Sequence, residues 1–180
     1  MTARRLTLIL LMLVTCVPEA CATSQIIFSG SNDALPSSTT IEYNCLMAPT
    51  QILWKSGAAS NIQIAPTGGT LTNLSVVVSS SPGAGNSWLF VVFQEAADSI
   101  LSCTISGTDT SCTDTDSVTI AAGERLSMKC DPTGTPTAAV TARWTVEFQG
   151  STTAESILLG FGEAAGDGSD TNYASPHGGG

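Results

Sequence analysis

Apolar and polar residues alternate most clearly late in the chain. Val140, Ala142, Trp144, Val146 and Phe148 fall on one side, and Thr141, Arg143, Thr145 and Glu147 fall on the other. Leu126, Met128 and Cys130 repeat the pattern, with Ser127 and Lys129 between them. A period of two is typical of a β-strand that buries one face. The pattern therefore predicts two half-buried strands in this region.

Similar short segments recur along the chain, separated by residues that favour turns. The predicted strands are Gln25–Ser29, Thr39–Leu46, Ile52–Lys55, Asn61–Ala65, Thr70–Ser79, Trp88–Gln94, Ile100–Ser106, Ser117–Ala121, Arg125–Cys130, Ala138–Phe148 and Glu155–Phe161. Val, Ile, Thr and aromatic residues fill them, and Pro and Gly clusters divide them. Residues 88–93 are continuously apolar, which predicts a strand that is covered on both faces or meets a partner.

Many short strands without helical periodicity predict an all-β fold. We expect a two-sheet antiparallel β-sandwich, with jelly-roll-like or immunoglobulin-like connections. Residues 38–162 are assigned to this sandwich, and residues 23–37 to an N-terminal strand and its tether. Residues 163–180 are rich in Gly, Ala, Ser and Asp, and are predicted to form a flexible Gly-rich tail.

The first 22 residues have the pattern of a removable signal peptide. Arg4 and Arg5 precede an apolar run of about 12 residues, a length that suits a signal peptide and is too short to span a bilayer. Ala20-Cys21-Ala22 matches the small-x-small cleavage pattern. A lipoprotein signal ending at Cys16 or Cys21 is the alternative, although its neighbours fit poorly. We therefore expect a secreted protein, extracellular or at the cell surface.

The charge of the chain narrows the range of partners. The formal net charge is −9, with 6 Lys and Arg against 15 Asp and Glu. Nucleic acid requires basic residues to neutralise its phosphates, and anionic membrane surfaces attract basic segments. Because the chain is acidic, we expect no nucleic-acid binding. No second apolar stretch reaches transmembrane length, so we also expect no membrane insertion after signal cleavage.

Four cysteines remain after signal removal, which suggests two disulfides in an exported chain. Cys103 and Cys112 flank a good turn centre at Gly107-Thr108-Asp109, so they are predicted to face each other across a hairpin. That pairing leaves Cys45 with Cys130. Four cysteines allow three pairings, so the others stay open. Paired short spacings typical of a zinc site do not occur in the sequence.

Candidate catalytic chemistry is sparse. The single histidine, His177, lies in the predicted tail, so no Ser or Cys triad can be built around it. Four glutamates lie on or beside strands and are interpreted as outward-facing solubility residues, although a facing pair could hydrolyse glycosides. They are Glu42, Glu95, Glu147 and Glu155. We expect no enzyme activity and no cofactor.

Two acidic clusters are candidates for calcium, which prefers several oxygen ligands. One contains Asp109, Asp114 and Asp116, and the other contains Asp167, Asp170 and Asn172. Neither has EF-hand spacing, and acidic turn residues are common without metal. The sequence therefore predicts no metal site.

A series of turn motifs carries a family resemblance over roughly residues 60–150. The motifs are Gly69-Thr70-Leu71-Thr72-Asn73-Leu74, Ser81-Pro82-Gly83-Ala84-Gly85, Thr104-Ile105-Ser106-Gly107-Thr108, Ala121-Ala122-Gly123-Glu124-Arg125-Leu126 and Pro132-Thr133-Gly134-Thr135-Pro136. The chain resembles small secreted jelly-roll proteins of environmental bacteria and phage structural regions. The resemblance implies a jelly-roll fold without catalytic residues. Some proteins of this kind look like subunits of extracellular filaments, in which one subunit's strand completes the sheet of the next.

These observations favour a non-enzymatic structural subunit that self-associates into a homopolymer. Gln25, Ile26, Ile27 and Phe28 form a short apolar segment next to the expected cleavage point, followed by Gly30-Ser31-Asn32-Asp33. Such a segment suits strand addition to a neighbour's open sheet edge. The alternative is that it forms the first strand of its own sandwich.

A second hypothesis is an adhesin module that binds carbohydrate or a receptor, with a possible glycan partner. This function requires exposed aromatic side chains, and the candidates are Trp54, Trp88 and Tyr173. A glycosidase is the third and weakest hypothesis, because no preorganised acid–base set is evident.

Overall fold

The computed structural model describes residues 24–47, 52–95, 97–152 and 156–157. Within these ranges, nine strands form two antiparallel sheets, joined by turns and one short 3₁₀ helix at Ala58–Asn61. The strands are β1 (Ser24–Ser31), β2 (Glu42–Asn44), β3 (Gln63–Ile64), β4 (Gly69–Val78), β5 (Gly83–Gln94), β6 (Ala97–Gly107), β7 (Ser111–Ile120), β8 (Arg125–Thr133) and β9 (Ala142–Gly150). No helix within the described ranges is long and apolar enough to cross a membrane.

The two sheets have the strand order of a jelly roll. The first sheet runs β1-β9-β4-β7, and the second runs β2-β8-β5-β6, with β3 also paired to β8. The pairings nest: β1 with β9, β2 and β3 with β8, β4 with β7, and β5 with β6. A long antiparallel ribbon rolled into two sheets produces this nesting. The predicted β-sandwich is therefore confirmed, and its strands have jelly-roll topology.

The core lies between the sheets, where the alternating residues predicted it. Trp144, Val146 and Phe148 of β9 are buried, while the intervening side chains face outward. On β5, Trp88, Phe90 and Val92 join the same core. Val91 faces the other side of that sheet and is 1% exposed. The prediction that this continuously apolar strand is covered on both faces is confirmed at Val91.

Several strands differ in extent from their predictions. The strand predicted as Ser117–Ala121 begins at Ser111, and the strand predicted from Trp88 begins at Gly83. These added residues are mostly small or polar, so their propensity for strand is weak, but they extend the ladders with β4 and β6 across register shifts. The strand predicted as Asn61–Ala65 is reduced to β3 beside the 3₁₀ helix.

Glycine accounts for two of the tight turns. Gly107 (φ +58°) is the last residue of β6, and Gly123 (φ +88°) lies between β7 and β8. Both are left-handed conformations that glycine adopts without steric cost. The predicted signal peptide, the tail at 163–180 and most of the strand predicted at Glu155–Phe161 lie outside the described residues.

The Cys103–Cys112 disulfide is present, with the two Cα atoms 5.7 Å apart. The predicted hairpin around it is wrong. Cys103 lies on β6 in the second sheet, and Cys112 lies on β7 in the first. The disulfide therefore joins the two sheets where the chain crosses between them.

The predicted Cys45–Cys130 disulfide is wrong, because both residues are buried free thiols. The register of β2 and β8 supplies the reason. Glu42 lies opposite Cys130, and Asn44 lies opposite Met128. Cys45 is three residues after Glu42, so it is displaced from Cys130 by three residues along the strand direction. Three residues of strand span roughly 10 Å, which exceeds the Cα separation that a disulfide tolerates.

Candidate functional site

The candidate site is the outer edge of β1, the strand that contains the predicted assembly segment. β1 pairs antiparallel with β9 over eight residue pairs, from Ser24 opposite Gln149 to Ser31 opposite Ala142. Among the described residues, no strand pairs with its other side. The segment Gln25–Phe28 thus lies in the sheet of its own chain, where it is an edge strand.

The side chains of β1 divide between core and solvent. Ile27 is completely buried. Ile26 and Phe28, which point the other way, are 56% and 70% exposed. Because alternate residues of a strand face opposite sides, the two exposed side chains lie together on the outer face of the first sheet. An edge strand with an apolar outer face is a surface that attracts a further strand.

β1 also lacks the features that usually protect a sheet edge. Natural edge strands carry charges, prolines or bulges, or they are very short. β1 is eight residues long and contains no charged residue and no proline. Its ladder with β9 has no register shift. The edge is therefore regular enough to continue hydrogen bonding into another strand.

The other three sheet edges in the described ranges are protected. β7 carries Asp114 and Asp116, and its disulfide ties it to β6. The Asp114 carboxylate accepts a hydrogen bond from the backbone N–H of Ser102 on β6, at 2.7 Å. The remaining edge consists of β2 and β3, which have three and two residues. The edge strand β6 contains Asp98, whereas β1 contains no charged residue.

The inner side of β1 is well anchored. Ile27 packs in the core, and the Gln25 side chain exchanges two hydrogen bonds with the backbone of Ile157. A Cβ atom on Gly30 would collide with the Arg143 side chain, so glycine permits this close approach. Arg143 in turn donates a hydrogen bond to the Ser31 carbonyl, at 2.7 Å. These contacts anchor β1 to the rest of the fold, while the side chains of Ser24, Ile26 and Phe28 stay exposed.

Polar residues of β9 adjoin the apolar pair. Glu147 lies opposite Ile26, and Thr145 lies opposite Phe28. The Asn73 amide donates a hydrogen bond to the Glu147 carboxylate at 2.6 Å. This bond, with smaller contributions from Ser24 and Gln149, lowers the pKa of Glu147 below its ordinary value. The carboxylate is therefore ionised at neutral pH, one strand away from the edge.

A second polar cluster lies on the outer face of the second sheet. Lys129 contacts the Asp98 carboxylate at 2.7 Å and the Asp131 carboxylate at 3.3 Å, with only 8% of its side chain exposed. Burial by itself would lower the pKa of Lys129, but Asp98 and then Asp131 outweigh it and raise the pKa. The amine stays protonated, so it is neither a base nor a nucleophile at neutral pH.

Cys45 and Cys130, the free thiols among the described residues, are similarly unreactive. Burial raises the pKa of Cys45 to about 12. It also raises the pKa of Cys130 well above its ordinary value, with Glu42 and Asp131 adding to the shift. Because the thiolate is the reactive form of cysteine, neither residue is a candidate nucleophile.

The candidate carboxylates do not converge on one cleft. Glu147 lies on the first sheet, whereas Glu42 lies on the second. Glu95 sits in the turn after β5, where its carboxylate forms an ion pair with Arg125 at 3.5 Å. Glu155 lies outside the described residues. Glu42, Glu95 and Glu147 therefore lie on separate parts of the fold and do not form the facing pair that glycoside hydrolysis needs.

The described residues that the sequence offered for calcium or glycan binding do not form such sites. Both Asp114 carboxylate oxygens accept backbone hydrogen bonds, from Ser102 and Asp116. Within the described part of the chain, no three His, Cys, Asp or Glu side chains form a group that could hold a metal ion. Trp54 and Trp88 are 5% and 0% exposed, so neither offers a ring to a glycan. Tyr173, Asp167, Asp170, Asn172 and His177 lie outside the described ranges.

Glu42 provides a pH-dependent test of the fold. Desolvation, followed by repulsion from Asp33, raises the pKa of Glu42, although Lys55 partly opposes the shift. The folded state therefore holds this proton more tightly than the unfolded state, and stability falls as pH rises from the ordinary value through the raised pKa. We expect Glu42→Gln to stabilise the protein at pH 7, within the roughly 0.5 kcal/mol typical of accessible positions, and to lose this advantage near pH 4. Urea denaturation at both values measures the difference.

Glu147→Gln is the matched control for Glu42→Gln, because its pKa shift has the opposite sign. The ionised Glu147 carboxylate stabilises the fold above its ordinary pKa, and this contribution is lost as pH falls through the lowered value. Glu147→Gln should therefore destabilise the protein at pH 7 and have less effect in acid. Identical pH profiles for the two variants would contradict the assignments.

No protein-family model matches this chain, and no curated protein matches it either.

Proposed function

We propose that this protein is a non-enzymatic structural subunit of an extracellular filament or surface assembly, and that its copies join by strand addition at the N-terminal strand β1. The observation that carries the proposal is the exposed apolar pair Ile26 and Phe28 on a regular, uncharged edge strand. Strand addition along such an edge supplies backbone hydrogen bonds for affinity and side-chain contacts for specificity.

The chemistry elsewhere supports a structural role. Several described ionisable groups are engaged in ion pairs or backbone hydrogen bonds, as with Lys129 and Asp114. The buried thiols have raised pKa values. A disulfide between sheets suits an oxidising compartment outside the cytosol, in agreement with the signal-like N-terminus. A protein that holds its charges in its own fold is suited to assembly rather than proton transfer.

Association of the mature chain, residues 23–180, tests the proposal. We expect the wild-type protein to form oligomers or filaments as its concentration rises, as seen by light scattering and negative-stain electron microscopy. The variant Ile26→Lys introduces a charge at the edge without entering the core, so it should shift the onset of assembly to at least about tenfold higher concentration. Its thermal unfolding should stay close to that of the wild type.

Ile100→Lys is the matched control, because Ile100 lies on β6 and is 66% exposed. This variant should assemble like the wild type. A wild-type chain that stays monomeric at millimolar concentration would overturn the proposal. Equal effects of the two lysine variants would remove the role assigned to β1.

A further inference from the structure

We infer that the partner of β1 is β1 of a second copy, paired antiparallel about a two-fold axis that passes through Ile27. The inference rests on the proposed function and specifies the contact. It predicts one continuous eight-stranded sheet built from the first sheets of two copies.

The register follows from the positions of the exposed side chains. A two-fold axis at Ile27 places Ile26 of each copy opposite Phe28 of the other. These side chains already share the outer face of the first sheet, so the paired strands bring four apolar side chains into one cluster. Residues two apart in a strand direct their backbone groups to the same side, so Ile26 and Phe28 can both continue the ladder.

The charge of β1 also fits self-pairing. Close to a two-fold axis, each residue lies near the same residue of the second copy, so a charged side chain there would face a like charge. β1 contains none from Ser24 to Ser31. The nearest carboxylate, Glu147, lies on β9 and accepts hydrogen bonds from Asn73 and Gln149. Self-pairing of β7 would instead bring Asp114 and Asp116 near their own copies.

The small residues at the ends of β1 favour the same arrangement. In this register Ser24 lies opposite Gly30 of the second copy, and Gln25 lies opposite Ser29. Ser24 presents only a small side chain to the outer face, and at the other end the Arg143 side chain packs over Gly30, so these two residues bound the central cluster of Ile26 and Phe28. A two-fold contact of this kind uses the same patch on both copies and closes on itself. It therefore forms a dimeric building block, which a filament would extend through a different surface.

A charge-pairing experiment tests both the contact and its register. In the variants Ile26→Glu and Phe28→Lys, the added charges fall beside the axis, and we expect each to weaken dimerisation at least about tenfold. In the double variant I26E/F28K, each introduced carboxylate faces the introduced ammonium group of the second copy. Dimerisation should therefore recover by at least about tenfold over the single variants. Sedimentation equilibrium on the mature chain measures all four proteins.

The control pair is Ile100→Glu and Thr104→Lys on β6, where both residues are exposed. Neither these variants nor their combination should change dimerisation. If the double variant at β1 associates no better than the single variants, the two-fold register is overturned, while filaments in micrographs would still support the proposed function. If the wild type neither dimerises nor assembles, both fail.

Discussion

The variant Trp144→Ala is expected to lose about 3–5 kcal/mol of unfolding free energy, which is enough to unfold many domains of this size. Trp144 lies on β9, between β1 and β4, and is 1% exposed. Its ring packs against Trp54 with 5.8 Å between centroids. Its indole N–H donates a hydrogen bond to the Leu46 carbonyl at 2.8 Å. Truncation therefore leaves a large cavity and an unpaired carbonyl. Urea denaturation followed by circular dichroism measures the loss.

Trp144→Phe separates the two contributions at this position. It keeps most of the ring contact but loses the hydrogen bond to Leu46, so we expect a smaller cost of about 1–3 kcal/mol. The exposed substitution Phe28→Ala, on the outer face of the same sheet, should cost much less. A loss below about 1 kcal/mol for Trp144→Ala would contradict the burial of this residue.

Removing the disulfide by Cys103→Ser with Cys112→Ser is expected to cost about 2.5–3 kcal/mol. The two cysteines are nine residues apart in sequence, and closing a loop of this size restricts the unfolded chain by about this amount in the chain-entropy model. The link also holds β6 against β7 where the chain changes sheets. Thermal and urea unfolding of the double variant should both shift to lower values.

Reductant provides the control for the disulfide prediction. Adding dithiothreitol to the wild type should reproduce most of the loss, whereas the double variant should not respond to it. Cys45→Ala should retain the full response, because Cys45 is a free thiol. Loss of the response in Cys45→Ala would indicate that the cysteines pair differently.

The sequence predicts the candidate site at the N-terminal strand only in part. The sequence predicts a strand at Gln25–Ser29, but its periodicity does not distinguish pairing with a neighbour from pairing within the chain. Its place depends on β9, which lies more than 100 residues away. The exposure of Ile26 and Phe28 follows from the face that Ile27 turns to the core, and only the assembled sheets define that face.

Local patterns determined much of the rest. The alternation of β8 and β9, the turns at Gly107 and Gly123 and the all-β class follow from side-chain period and backbone sterics, which act over a few residues. The sequence also predicts the bond between Cys103 and Cys112, although the hairpin from which it is predicted does not form.

The tertiary structure alone decided which sheet each strand joins. It placed Cys103 and Cys112 in different sheets, and it set the register that leaves Cys45 and Cys130 as separate thiols. It also placed β1 at an edge of the first sheet, where no other strand of the described residues pairs with its outer side. These features depend on pairings between segments that are distant in sequence. In such a pairing, a register shift of one residue moves every side chain of a strand to the opposite face of the sheet, and no local pattern encodes the register.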